Sequence, residues 1–163
     1  MNRNRRPSVG VACAALLFGV GLVAACGSSA PPPNVGPSPN VQRVRSSAGK
    51  TVQDCGEAIE SRDETQCKVQ PVGECVLAAL KGCRAAHGTH IYSTGEGDAV
   101  RSDWFVVERP GGACDFVSVE DRTRDLLGAK GVTEKTCASA GWTRHPRIER
   151  CEMLVPSGCR LSQ

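Results

Sequence analysis

The chain has 163 residues, a formal net charge of +3 and an aromatic content of 4%. Three of its twenty basic residues and none of its acidic residues lie within the first 25 positions, so the remainder carries no net charge. That balance excludes a general electrostatic attraction to nucleic acid, and the length predicts one main domain.

The first 25 residues have the layout of a bacterial export signal. Arg3, Arg5 and Arg6 form a cationic start, and an apolar run follows over residues 9–25. A run of this length is at the short end for a membrane-spanning helix, which needs about 20 residues. Residues 1–25 are therefore predicted to be a signal peptide, with an uncleaved membrane helix as the alternative.

The end of the apolar run resembles the lipobox of bacterial lipoproteins. Val23, Ala24 and Ala25 match its aliphatic and small positions, and Cys26 follows them. The resemblance implies cleavage between Ala25 and Cys26 and attachment of a diacylglycerol, with palmitate-type acyl chains, to the Cys26 sulfur. That lipid would anchor the protein to a membrane. A conventional signal cut after an Ala-x-Ala-like site is the alternative.

The lipobox resemblance also implies a location. Gly27 follows the cysteine, where aspartate is usual in lipoproteins retained at the inner membrane. The protein is therefore expected in the cell envelope, at the outer membrane of a two-membrane bacterium. In a one-membrane bacterium the expected location is the outer face of the plasma membrane.

Residues 26–50 are predicted to form a lipidated cysteine followed by a disordered tether. This segment is rich in Pro, Ser, Gly and Asn. Proline favours extended backbone, and a segment with so little to bury remains unfolded. The tether is expected to hold a folded domain, residues 51–163, away from the membrane.

An even number of cysteines follows Cys26 in this expected domain. They are Cys55, Cys67, Cys75, Cys83, Cys114, Cys137, Cys151 and Cys159. Disulfides persist outside the cytoplasm, so the domain is expected to contain four of them, with a connectivity that the sequence leaves open. A zinc site is the alternative, but the chain has no C-x-x-C pair and no histidines at finger-like spacing from the cysteines.

The expected domain begins with helices. Apolar residues at helical spacing predict a helix over residues 71–86, with Pro71 in its first turn. A shorter helix is expected over residues 55–60. Cys75 and Cys83 lie about 12 Å apart along the longer helix, so each must pair with a cysteine elsewhere.

Beyond Gly88 the residue types favour strands. The predicted strands cover residues 90–94, 100–107, 113–119 and 132–137. Residues 109–112 predict a hairpin loop, and residues 121–128 predict a short helical turn. The expected fold class is α+β, with an N-terminal helix packed on an antiparallel sheet of about four strands and stapled by disulfides.

Two motifs in this region resemble a family of small bacterial lipoprotein domains of unknown function. Residues 92–100 are similar to its EGDP-like segment, and residues 119–128 are similar to its D-x-T-x-D-x-x-G segment. Cys137 also fits, whereas Ala99 and Leu127 stand where proline and an aromatic residue are usual. The resemblance implies an α+β domain outside the cytoplasm and brings no activity.

Four carboxylates in these motifs are the candidate chemical groups. They are Glu96, Asp98, Asp121 and Asp125. Paired carboxylates bind calcium or act as general acid and base, so a small envelope hydrolase is one interpretation. The other is structural, because glycine-rich turns and helix starts use acidic residues in the same positions.

His87 and His90 form an H-x-x-H pair, a common arrangement of metal ligands, but no third ligand is evident near them in the sequence. We therefore expect no metal, no cofactor, no nucleic-acid partner and no enzymatic activity.

The expected function is a binding or interaction domain. Its partners would be the membrane, through the lipid on Cys26, and an envelope protein or ligand of unknown identity. A purely structural envelope protein is a further alternative.

Overall fold

The computed structural model describes residues 39–48, 51–61 and 64–162. The predicted signal peptide, the lipobox with Cys26 and residues 27–38 of the predicted tether lie outside these ranges. Signal cleavage and lipidation therefore stay predictions. Within the described ranges, no helix is long and apolar enough to cross a membrane.

A six-stranded sheet forms the framework, and its strands lie side by side in chain order. The helices are α1 (Pro39–Ser47) and α2 (Val69–Lys81). The strands are β1 (Gln53–Glu60), β2 (Ala86–Ser93), β3 (Ala99–Glu108), β4 (Cys114–Asp121), β5 (Val132–Arg144) and β6 (Glu152–Leu161). Strand β1 runs parallel to β2 with α2 as the crossover, and all later neighbours are antiparallel.

The predicted α+β domain with an N-terminal helix on about four antiparallel strands is wrong. The sheet has six strands and is mixed, and both α1 and β1 precede α2, the longer of the two predicted helices. Residues 55–60, predicted as a helix, belong to β1. Ala58 and Glu60 are buried there while Ile59 between them is exposed, which is the period-two alternation of a strand.

The prediction of a disordered tether over residues 26–50 is also wrong in part, because this segment contains α1. Pro39 suits the first turn of a helix, where its missing N–H is not needed. Val41 and Val44 recur on one face and pack against Phe105 and neighbouring valines of the sheet. Apolar residues spaced by three positions were enough to form this helix once a sheet face was present to cover them.

Helix α2 packs on the opposite face at two glycines. A Cβ at Gly88 of β2 would lie 2.8 Å from side-chain atoms of both Val72 and Val76. Gly73 of α2 is likewise closed in by Trp142, with a Cβ-to-ring distance of 2.9 Å. The two missing side chains let the helix lie close to β2 on one side and to Trp142 of β5 on another.

The prediction of disulfides is confirmed, and the structure supplies the pairing. The four bonds are Cys55–Cys75, Cys67–Cys151, Cys83–Cys114 and Cys137–Cys159. As expected, the two cysteines near helix α2, Cys75 and Cys83, bond to different partners. The bond between Cys67 and Cys151 ties the β1–α2 connection to the loop after β5.

Candidate functional site

Glu60, His90 and His145 meet in the interior, although they are far apart in the sequence. Glu60 ends β1, His90 lies in the neighbouring β2, and His145 directly follows β5. The Glu60 Oε2 accepts hydrogen bonds from the Nε2 atoms of His90 and His145, each at 3.0 Å. None of the three residues is more than 5% exposed.

The loop backbone fixes which nitrogen of His145 carries the proton. Its Nδ1 accepts backbone N–H groups of Arg147 at 3.2 Å and Ile148 at 3.0 Å. The proton of the neutral ring must then reside on Nε2, from which it is donated to Glu60. No lone pair of His145 remains for a metal, and the described residues contain no cluster of three metal-ligating side chains.

Two buried acceptors of this cluster have no protein partner within the described ranges. They are Glu60 Oε1 and His90 Nδ1. An unpaired buried polar group costs about 1–3 kcal/mol, so such atoms are uncommon unless a ligand or water uses them.

The Glu60 carboxylate remains the ionised form at neutral pH. Burial by itself raises the pKa of Glu60, but the hydrogen bonds and charges of His90 and His145 outweigh that effect and hold it below its ordinary value.

A cavity of about 290 Å³ adjoins the cluster and opens to solvent. His90 and His145 form part of its wall, with Tyr92 and Met153 as larger apolar surfaces. Arg147 stands exposed at the cavity and makes no ion pair within the described ranges. Hollows of 380 and 400 Å³ along β5 and β6 are larger but adjoin none of the buried histidines.

A second buried cluster lies on the other face of the sheet and is fully paired. Asp103 accepts hydrogen bonds from His87 at 2.9 Å, Thr89 at 2.7 Å and Arg101 at 2.7 Å. Burial alone would raise the pKa of Asp103, but these three partners hold it below its ordinary value. Because residues three apart in a strand face opposite sides, His87 and His90 do not form one site.

Three of the four candidate carboxylates accept backbone amides of loop residues. Asp98 accepts a hydrogen bond from the backbone N–H of Leu126 at 2.9 Å. Asp121 accepts one from the N–H of Thr123 at 2.9 Å, and Asp125 accepts one from the N–H of Gly128 at 2.7 Å. The Gly128 amide also lowers the pKa of Asp125 below its ordinary value. Glu96 is exposed in the β2–β3 turn. Residues 121–128, predicted as a helical turn, contain the end of β4, one hydrogen-bonded turn and a series of bends, without a helix.

Sequence reasoning named His90 but missed Glu60 and His145. Glu60 and His145 are 85 residues apart, and neither lies in a motif. No local signal marked Glu60, because Ala58 and Ile59 before it are both apolar and its burial is evident only in the structure.

Comparisons with protein-family models, with characterised proteins and with solved structures give no match. The two resemblances noted in the sequence therefore stay predictions.

Proposed function

We propose that the protein is an extracytoplasmic domain that is anchored through a lipid on Cys26 and binds a ligand in the bacterial cell envelope. The compartment is supported by the four disulfides, which use all eight cysteines after Cys26. Bonds of this kind persist outside the cytoplasm and are rare within it. The anchor is supported by the lipobox-like residues that precede Cys26.

The observation that carries the binding role is the buried Glu60–His90–His145 cluster beside a cavity. Both unpartnered atoms, Glu60 Oε1 and His90 Nδ1, are acceptors when the imidazoles are neutral. The cluster also contains the Glu60 carboxylate, which is ionised at neutral pH. The group that this site favours is therefore a hydrogen-bond donor, and an ammonium group meets both requirements.

The anchor is tested by labelling cells with radioactive palmitate. The protein is expected to carry the label and to fractionate with membranes, whereas the Cys26→Ala variant carries no label. Cys13→Ala is the matched control, because this cysteine lies within the predicted signal peptide and should leave labelling unchanged. Membrane fractionation of an unlabelled wild-type protein would contradict the proposal.

The binding site is tested by NMR of protein with ¹⁵N-labelled histidine rings. Addition of butylammonium is expected to shift the His90 resonances saturably, while butyrate, which lacks the donor, leaves them unchanged. His87 serves as an internal control, because its ring is paired with Asp103 on the other face of the sheet. Equal responses to both compounds, or none to either, would remove the binding assignment.

A further inference from the structure

The four disulfides differ in how far solvent reaches their cysteines. Cys159, near the end of β6, is the one exposed residue among the eight bonded cysteines, all of which lie within the described ranges. The other seven are half-buried or buried, and Cys137 and Cys151 are only 4% and 0% exposed. A thiolate attacks only a disulfide sulfur that it can reach. Access therefore favours attack on the Cys137–Cys159 bond at Cys159.

Open space adjoins this bond. Cys159 forms part of the wall of a hollow of about 380 Å³, with Lys135 and Ser157 beside it. Cys137 lines a second hollow of about 310 Å³. Strand β6 is an edge strand of the sheet that the structure describes, so no further strand covers the side of Cys159 away from Cys137. An attacking sulfur must approach from that side, opposite the sulfur that leaves.

The hairpin has other contacts that keep its register when the bond is open. The two cysteines lie directly opposite each other, and the β5–β6 ladder continues on both sides of them. The Ser139 and Ser157 hydroxyl oxygens are 2.6 Å apart on one side, and those of Thr136 and Ser162 are 3.2 Å apart on the other. Reduction therefore leaves two thiols facing each other in a folded hairpin, where the bond can form again.

We propose that Cys137–Cys159 is a thiol–disulfide exchange site for a dithiol partner. A thiolate of the partner attacks the Cys159 sulfur to form a mixed disulfide, and Cys137 leaves as a thiolate that takes up a proton. The second thiolate of the partner then attacks the partner's own sulfur in the mixed disulfide and releases Cys159, which takes up the other proton. The partner supplies both electrons and both protons and leaves with a disulfide of its own. This role goes beyond the proposed ligand binding and requires no lipid on Cys26.

The test uses residues 26–163 with the substitution Cys26→Ala, made in an oxidising compartment, so that the eight bonded cysteines are the only ones present. The folded protein is treated with dithiothreitol as the dithiol, and samples are alkylated with iodoacetamide over time and mapped by mass spectrometry. Cys137 and Cys159 should be alkylated about tenfold faster than any other pair, while circular dichroism is unchanged. Faster or equal reduction of another bond, or reduction only together with unfolding, would overturn the proposal.

Two paired variants check the assignment. The variant Cys137→Ala/Cys159→Ala should lose the fast phase of reduction and keep the slow phases. Cys55→Ala/Cys75→Ala is the matched control, because that bond spans 20 residues, close to the 22 of Cys137–Cys159, and this variant should keep the fast phase. A fast phase that persists without Cys137 and Cys159 would contradict the exchange site and leave the palmitate and histidine results unaffected.

A monothiol identifies the sulfur that is attacked. Brief exposure to glutathione followed by an acid quench should place the glutathione adduct on Cys159, the exposed member of the bond. An adduct found on Cys137 instead would show that access through β6 does not direct the reaction.

Discussion

Glu60 shows how the interior keeps a single carboxylate ionised. Two N–H donors converge on its Oε2, and the loop backbone sets the tautomer of His145 so that its proton faces the acid. Burial by itself would raise the pKa of Glu60, yet the two imidazoles lower it. The cluster therefore contributes to stability only while Glu60 is charged.

The pH dependence of folding tests this description. A folded-state pKa below the unfolded value means that the contribution is present above about pH 4.3 and is lost as the pH falls through the folded pKa. We expect Glu60→Gln to lower the free energy of unfolding by about 2 kcal/mol at pH 5 and by less at pH 3. Urea unfolding at both pH values measures the difference.

Glu96→Gln is the matched control, because this side chain is exposed and makes no ion pair within the described ranges. Its unfolding midpoint should follow that of the wild type at both pH values. An identical loss for Glu60→Gln at pH 5 and pH 3 would show that the charge of Glu60 does not stabilise the fold.

At the scale of elements, the packing of α2 depends on a strand position without a side chain. Val72 and Val76 fit against the backbone of β2 because residue 88 is glycine. The apolar spacing of the helix was visible in the sequence, and so was the strand character of residues 90–94. The contact surface between the helix and the strand was not visible in the sequence, because it depends on the register of β2 against its neighbouring strands.

Gly88→Ala tests this close approach. The added Cβ would meet both valines at 2.8 Å and force the helix away from the sheet. We expect the free energy of unfolding to fall by about 1–3 kcal/mol, measured by urea denaturation. Gly141→Ala, in β5, has nothing within 4 Å of the added atom and should not destabilise the protein. Equal effects at the two positions would contradict the packing argument.

At the scale of the whole molecule, the disulfides differ in the number of residues between their two cysteines. Cys67–Cys151 closes a separation of 84 residues, whereas Cys137–Cys159 joins two strands of one hairpin across 22 residues. The longer bond also secures the loop of His145, whose backbone N–H donates to the Cys151 carbonyl at 2.8 Å. It therefore connects the stability of the fold to the geometry of the candidate site.

Removal of single bonds by paired Cys→Ala substitutions should reveal this hierarchy. In the chain-entropy description, loss of Cys67–Cys151 costs about 4–5 kcal/mol and loss of Cys137–Cys159 about 3 kcal/mol. Thermal unfolding of the two variants gives the order. Only the first variant should also change the His145 ring resonances, and a perturbed His145 in the second variant would contradict the link.

The sequence determined those features that depend on neighbouring residues. Four of the five strands from residue 86 onward, the hairpin loop at residues 109–112 and the existence of disulfides followed from residue types and spacing, because local backbone preference and cysteine content act without long-range information. The last strand, β6, was not predicted. The helix prediction for residues 55–60 failed because a short apolar segment takes its conformation from the strand beside it.

Only the tertiary structure decided what depends on distant parts of the chain. Only there does β1 pair with β2, and only there do Val41 and Val44 pack against the sheet. The disulfide partners and the contact of His145 with Glu60 are likewise evident only in the folded chain. The physical reason is common to all of these features. Burial and hydrogen bonding stabilise contacts between residues that are tens of positions apart, and the residues next to each partner in the sequence do not specify which distant residue it contacts.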